Sequence, residues 1–409
     1  MNILKGNAVV GQSGGPTAAI NATLSGVIRG VLANRETIPT LYGMRNGVEG
    51  LLQERFVDLT QIFADEKDLL TLEDTPAAAL GSCRFKLPKP DADRATFDRI
   101  LEIFKKYDIR YFFYIGGNDS MDAVAKLTAY LETVDYEMRV IGVPKTIDND
   151  LVGTDHTPGF GSAAKYIATT IKEIVRDCAV YTVSAVTIVE IMGRDAGWLT
   201  SAAALASLSG DGPDLIYLPE RNFSLDQFFA DVKAALAKHP NVVVAVSEGI
   251  RFADGTYVGA SAQSGATDSF GHAYLAGTGK FLERAVKNEL GCKVRAVELN
   301  LPQRCAAHLA SATDIEESVR TGKTAVSSAV SGVSGHMMTA VRTDSPYKVE
   351  ISSSPVSAIA NMVKTVPDAY INEAGNGITE AGLAYLAPLI LGERTPVFEN
   401  GMPKHFVIK

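Results

Sequence analysis

The stretch Tyr111-Phe112-Phe113-Tyr114-Ile115-Gly116-Gly117-Asn118-Asp119-Ser120-Met121 decides the fold. Five apolar residues stop at two glycines, and a helical pattern begins near Met121. A buried strand that turns directly into a helix is the building unit of a parallel sheet with crossover helices. The same grammar recurs on both sides. Residues 7–11 form an apolar run, a glycine-rich loop follows, and a helix is expected from about Thr17 to Leu32. Residues 140–143, 184–190, 215–218, 242–246 and 294–298 continue the series. Short runs rich in Val, Ile and Tyr, ended by Gly or Pro, read as strands rather than buried helix segments. The expected class is therefore α/β. After residue 331 the alternation blurs into a hairpin-like pair, 335–341 with 347–351, followed by helical pieces. We read this part as a C-terminal elaboration packed on the core.

With 409 residues the chain can fill two or three cores. Its formal net charge of −8 argues against a nucleic-acid partner, which would need a basic face. Small phosphorylated ligands need only a few local cations and remain open. No run approaches the roughly 20 apolar residues that span a bilayer. The first ten residues lack the zones of a signal peptide. Cys83, Cys178, Cys292 and Cys305 are widely separated and contain no Cys-x-x-Cys pair, which disfavours zinc and a disulfide framework. A reduced, cytoplasmic protein is expected.

Polar residues gather where the apolar runs end, the ligand end of open α/β sheets. Gly11-Gln12-Ser13-Gly14-Gly15-Pro16-Thr17 is a turn whose amides can close on an anion, though any tight strand-to-helix turn looks similar. It is neither a Walker loop nor a dinucleotide fingerprint. Gly277-Thr278-Gly279-Lys280 fails as a Walker loop because Tyr274 stands where the first glycine belongs. Gly116-Gly117-Asn118-Asp119-Ser120 sets three oxygen-bearing side chains behind two glycines. Helix capping explains one of them but hardly all three. Pro144-Lys145-Thr146-Ile147-Asp148-Asn149-Asp150 is the most informative segment. Phosphoryl transfer needs a cation on the moving group, a hydrogen-bond donor and a carboxylate to receive a proton, and this loop carries all three.

Together with Met192-Gly193-Arg194, these motifs resemble the 6-phosphofructokinase family, in order from the first loop to about Arg304, roughly three quarters of the chain. The resemblance implies two similar three-layer α/β/α domains with mostly parallel sheets, plus the C-terminal elaboration. It divides the chain into a phosphate-donor domain (1–150), a sugar-phosphate domain (151–310) and segments 311–409 that pack back on both. Family members that use ATP usually have glycine at the positions of Asp119 and Lys145, so this chain looks like the pyrophosphate-dependent branch. The physics agrees: a carboxylate at Asp119 repels a nucleotide's α-phosphate, and Lys145 steadies the transferring group and the leaving phosphate.

The other roles follow by resemblance. Asp148 is expected to be the general base for the sugar 1-hydroxyl, with Thr146 beside the same sugar. Gly15 and Arg84 would meet the donor. Met192, Gly193 and Arg194 match the sugar-phosphate loop, with Arg194 countering charge in the transition state. Glu248 would hold sugar hydroxyls, and Arg295, Leu301 and Arg304 fall at positions that surround the 6-phosphate. Asn118 and Asp150 are the expected magnesium positions. The implied reaction is magnesium-dependent, reversible transfer from pyrophosphate to fructose 6-phosphate, within glycolysis or gluconeogenesis. A homodimer or homotetramer is implied, with no nucleic acid or membrane partner. Three positions depart from the family pattern: Asn118 replaces an aspartate, Ala185 an arginine, and Leu301 a histidine or tyrosine. Tyr347 and Lys348 are candidate substitutes at the 6-phosphate. Each residue also has a bland explanation: surface ion pairs for Arg84, Arg295 and Arg304, strand-end caps for Glu190 and Glu248, ordinary core for Met192 and Trp198. Those explanations do not predict the joint order of the motifs. An ATP-dependent phosphofructokinase, a non-catalytic subunit on the same fold, and a kinase for another sugar such as sedoheptulose 7-phosphate are the competing readings.

Overall fold

The computed structural model describes residues 3–260, 275, 277–344 and 346–408. Its first sheet contains β1 (Asn7–Gln12), β2 (Leu41–Met44), β3 (Phe56–Asp58), β4 (Ile109–Gly116) and β5 (Arg139–Pro144). A second sheet contains β6 (Ala185–Ile191), β7 (Leu215–Tyr217), β9 (Asn241–Ser247) and β11 (Lys293–Glu298). The short strands β8 (Asn222–Phe223) and β10 (Arg251–Phe252) pair with each other. Finally, β12 (His336–Asp344) and β13 (Tyr347–Pro355) return to the first sheet, whose order is β13-β12-β5-β4-β1-β2-β3. Only the β12–β13 and β2–β3 pairs in it are antiparallel. The second sheet, ordered β11-β6-β9-β7, is parallel throughout.

Alternation along β4 explains the layering. Tyr111, Phe113 and Ile115 point to one face, where they pack with Ile20, Leu24 and Val27 of the helix Ile20–Leu32. Phe112 and Tyr114 point to the other, against Phe97, Phe104 and Val124. The period of two along a strand thus feeds two cores from one apolar run. In the second sheet, Val189, Ile191 and Ala245 face the helix Phe160–Cys178, while Val186, Ile188 and Val244 face Phe228 and Leu282. Each sheet is therefore covered on both faces, giving two three-layer α/β/α units.

The hairpin-like pair is present as β12–β13, but it extends the first sheet instead of lying apart from it. Residues His336 and Met337 register with Ile141 and Gly142 of β5. The helix Ala312–Val330 crosses the helix Ile20–Leu32 at close range. A Cβ at Gly26 would lie 2.2 Å from the Val319 carbonyl oxygen, so the crossing requires glycine there. The first helix starts at Ile20, three residues after its expected start, because the Thr17 hydroxyl accepts from the Ala19 N–H and holds a local turn. Among the described residues no helix is long and apolar enough to cross a membrane.

Candidate active site

The carboxyl ends of β1, β4, β5, β6 and β9 border one cavity of about 390 Å³. Its lining includes Gly15, Arg84, Asn118, Asp119, Lys145, Thr146, Asp148, Asp150, Met192, Gly193, Arg194, Glu248 and Arg304. Residues far apart in sequence, from both sheets, therefore meet at the ligand end of the fold.

Each loop is fixed by specific contacts, local at Gly116 and reaching far along the chain at the other two. At the end of β4, a Cβ on Gly116 would stand 1.9 Å from the Ser120 hydroxyl oxygen, so glycine alone allows the helix Asn118–Leu131 to start there. The first glycine-rich loop is clamped by the 81–86 segment. Ser82 Oγ donates to the Gly14 carbonyl at 2.6 Å, and the Gly14 N–H donates to the Cys83 carbonyl at 3.2 Å. That clamp carries Arg84 to the cavity. At the end of β6, the sugar-loop candidate has Arg194 in the left-handed region at φ 51°. Glu248 Oε1 holds it there, accepting from the N–H groups of Gly193 (3.2 Å) and Arg194 (3.1 Å). Gln303 Oε1 accepts from the Met192 N–H at 3.2 Å, and its neighbour Arg304 lies 3.3 Å from where a Gly15 Cβ would be.

The electrostatics suit proton and phosphoryl chemistry. Lys145 is 2 % exposed, and its ammonium donates to the Gly15 carbonyl at 2.5 Å. Burial pulls its pKa down to about 8, resisted by the charge of Asp148. Asp148 is pushed above the ordinary carboxylate range by burial, while Arg194, Lys145 and Arg304 pull the other way. Burial and then the charge of Asp148 push Asp150 up to about 7. Burial likewise lifts Glu248 to about 7. Arg304 sits below its usual value because it is buried near Arg84. Arg84 and Arg304 bring two guanidinium groups to one wall of the cavity, where they can meet an anion.

Two predicted residues stand apart. Arg295 is exposed on the edge strand β11, and Leu301 is 54 % exposed in the turn after it; neither borders the cavity. Ala185 opens β6, at the end opposite the cavity. Tyr347 and Lys348 lie outside the cavity as well: the Tyr347 hydroxyl donates to Glu317 at 3.1 Å, and Lys348 pairs with Glu350. Glu190 acts as a strand-end acceptor, receiving the Gly279 N–H at 2.6 Å. Tyr274, which ruled out the Walker reading, lies outside the described residues.

Asn118 uses both ends of its amide on the C-terminal segment. Its Nδ2 donates to the Met362 carbonyl at 2.7 Å, and its Oδ1 accepts from the Asn361 N–H at 2.6 Å. The sequence reading missed Lys86, Asp195, Ala196, Asn361 and Val363 on the cavity wall. Lys86 had a usable signal, two residues beyond Arg84 in one loop, and Asp195 and Ala196 directly follow Arg194. Asn361 and Val363 sit in a stretch without periodicity. Among the described residues no cluster of three or more His, Cys, Asp or Glu could by itself hold a metal ion.

Comparison with known proteins agrees with this geometry. The family model described as Phosphofructokinase matches residues 7–329. A pyrophosphate--fructose 6-phosphate 1-phosphotransferase from Halomonas elongata is 42% identical over 402 residues, 97% of this chain and 95% of that protein. The protein of the same name from Xanthomonas campestris is 43% identical over 409 residues, covering 99% and 96%. The crystal structure of a pyrophosphate-dependent phosphofructokinase from Nitrosospira multiformis superposes with a TM-score of 0.89 at 38% identity, covering 98% of this chain and 96% of the other.

Proposed function

Because this chain belongs to the phosphofructokinase family, within its pyrophosphate-dependent branch, we propose that it moves a phosphoryl group from pyrophosphate to the 1-hydroxyl of fructose 6-phosphate. It is a phosphotransferase. The observation that carries the donor assignment is the presence of Asp119 and Lys145 on one cavity wall with Asp148, Arg194 and Glu248.

In this reading Asp148 takes the proton of the 1-hydroxyl. The sugar oxygen bonds to the terminal phosphorus, the bridging P–O bond breaks, and phosphate leaves with the electron pair. A buried carboxylate with a raised pKa is a stronger base than an exposed aspartate, and the charges of Arg194, Lys145 and Arg304 favour its ionised form. Lys145, Arg84 and Arg304 neutralise the donor and its leaving phosphate, and Arg194 balances charge that develops between the substrates. Glu248 holds the 193–194 turn with one oxygen and leaves the other for sugar hydroxyls. Thr146 keeps the base loop in shape by accepting from the Asp148 N–H at 3.2 Å. Because the product of the donor is phosphate, the reverse transfer is open to the same groups.

Asp119 and Asp150 supply hard oxygens on the cavity wall, which fits a magnesium ion bound by one or two carboxylates plus substrate phosphates. Asn118 has only the remaining lone pair of its oxygen to add. When bound, the ion would neutralise phosphate charge. Residues 1–150 would serve the donor, 151–310 the sugar, and 311–409 would tie the two together. Exposed Arg295 and Leu301 support an anchor for the 6-phosphate shared with a second copy, in a homodimer or homotetramer. Four free cysteines support a reducing, cytoplasmic setting.

The test is a donor assay with fructose 6-phosphate and magnesium, comparing pyrophosphate with ATP at matched concentrations. Turnover with pyrophosphate and none with ATP is expected. Turnover with ATP alone would overturn the donor assignment, and activity with neither would overturn the sugar.

A further inference from the structure

The segment 361–366 bonds directly to the donor loop and the base loop, and to Glu220 and Trp198 beside the sugar loop. At its start, the Asn361 N–H and the Met362 carbonyl bracket the amide of Asn118 on the donor loop. In the middle, the Lys364 N–H donates to the Asp150 carbonyl at 2.7 Å, on the base loop. At its end, the Val366 N–H donates at 2.9 Å to Glu220 Oε1, which also receives the Gly197 N–H at 2.8 Å, just past the sugar loop. Trp198 Nε1 donates to the Lys364 carbonyl at 2.9 Å. A peptide of six residues thus joins elements of both sheets around one cavity.

Lys364 is the centre of this strap. Its ammonium has three hydrogens and three protein oxygens within reach: Asn149 Oδ1 at 3.2 Å, the Thr154 carbonyl at 3.1 Å and the Asp155 carbonyl at 2.6 Å. It also lies 5.2 Å from the centre of the Trp198 ring. A lysine whose donors are all engaged by protein is not a phosphate ligand. What it does hold is the chain that carries Asp148 and Asp150, including Asn149, which sits in the left-handed region at φ 55°.

We propose that Lys364 is a positioning residue for phosphoryl transfer, fixing the 148–155 loop against Trp198. The proposal rests on the function proposed above. Displacing reacting groups by about 1 Å costs on the order of 10²-fold in rate, so a residue that never touches substrate can control turnover through this loop.

The experiment compares wild type, Lys364→Met and Lys364→Arg in the magnesium–pyrophosphate assay, with kcat referred to folded protein. Lys364→Met keeps the apolar stem and loses the charge and the donors. It is expected to lower kcat by roughly 10- to 100-fold with each KM changed less than about threefold, and Lys364→Arg to recover part of the loss. Trp198 is the only tryptophan in the chain, so its emission reads the strap directly. Acrylamide should quench it more in Lys364→Met than in wild type. A kcat within about twofold of wild type, or unchanged quenching, would overturn the proposal. If Lys364→Met does not fold, Trp198→Phe removes the bond to the strap while keeping an aromatic ring in the core; an expected loss of a few fold in kcat at constant KM supports the proposal, and no loss overturns it. Wild type inactive with every donor would instead sink the proposed function, leaving the quenching result to judge the strap.

Discussion

The Lys145 ammonium donates to the carbonyl oxygen of Gly15 at 2.5 Å, so the base loop and the first glycine-rich loop are joined before any substrate arrives. The cation is buried at the wall of the cavity, and its pKa of about 8 keeps it mostly charged at neutral pH. As pH rises through that value the charge is lost. We therefore expect kcat/KM with pyrophosphate to fall above about pH 8, since this ratio reports groups of the free enzyme. Lys145→Met should lower kcat by about 10²- to 10³-fold, the cost of removing one preorganised group from a transition-state site. Its remaining activity should lack the alkaline limb seen in wild type.

Asp148 provides a sharper separation between chemistry and binding. Its carboxylate lines the cavity, but the loop geometry is set by backbone bonds and by Thr146, which receives the Asp148 N–H. Asp148→Ala is expected to reduce turnover by about 10²- to 10⁴-fold, the usual contribution of a general base. Dissociation constants for fructose 6-phosphate, measured by calorimetry, should stay within a few fold of wild type. A rate loss below about tenfold would remove Asp148 from the role of base.

The 116–120 and 144–150 loops were legible in the sequence because their constraints are local. Gly116 must be glycine for Ser120 to approach, and Lys145 through Asp150 follow an apolar strand without interruption. The class of fold was legible for the same reason, since the apolar runs of β1, β4, β5, β6 and β9 are marked by their own glycines and prolines. The pair β12–β13 was visible as a pair, yet its membership of the first sheet was not. That membership depends on His336 finding Ile141, almost two hundred positions earlier. Lys364 left no trace at all. It lies among Asn361, Met362, Val363 and Thr365 with no periodicity, and its role exists only after the chain has turned back across both sheets.

Gly249 backs the 192–194 turn, proposed above as the sugar loop. A Cβ there would fall 1.6 Å from the Arg194 carbonyl oxygen and 2.6 Å from its carbon, a clash with backbone that no rotamer change relieves. Gly249→Ala must push the 193–194 turn into the cavity or release its bonds to Glu248. The expected result is a loss of more than about tenfold in kcat/KM for fructose 6-phosphate, with the KM for pyrophosphate nearly unchanged. Overpacking of this kind also costs about 1–3 kcal/mol of stability, measurable as a lower urea midpoint.

His156 ties the base loop to the helix Ala312–Val330 and supplies a prediction about stability instead of rate. Its ring lies 2.8 Å from Asp155 Oδ1 and 2.6 Å from Glu317 Oε2, and it is buried. Burial opposes its charge, but the two carboxylates outweigh that and raise its pKa above the ordinary 6.5. Asp155 shifts downward: burial resists its ionisation, and the bond to His156 outweighs it. A raised histidine pKa means that the folded chain holds a proton the unfolded chain releases. The stabilisation is therefore complete below about pH 6.5 and fades as pH rises through the folded value. Removing the ring takes the nearest cation from buried Glu317 and half-buried Asp155, while Arg320 stays 3.4 Å from Glu317 and Arg342 3.8 Å from Asp155. The cost should therefore lie below the roughly 3–5 kcal/mol of a fully broken buried pair. Urea unfolding of wild type and His156→Gln at several pH values should show the largest difference near pH 6, narrowing steadily toward pH 9. A difference that stayed constant over that range would mean that the ring acts by packing alone, because packing carries no proton.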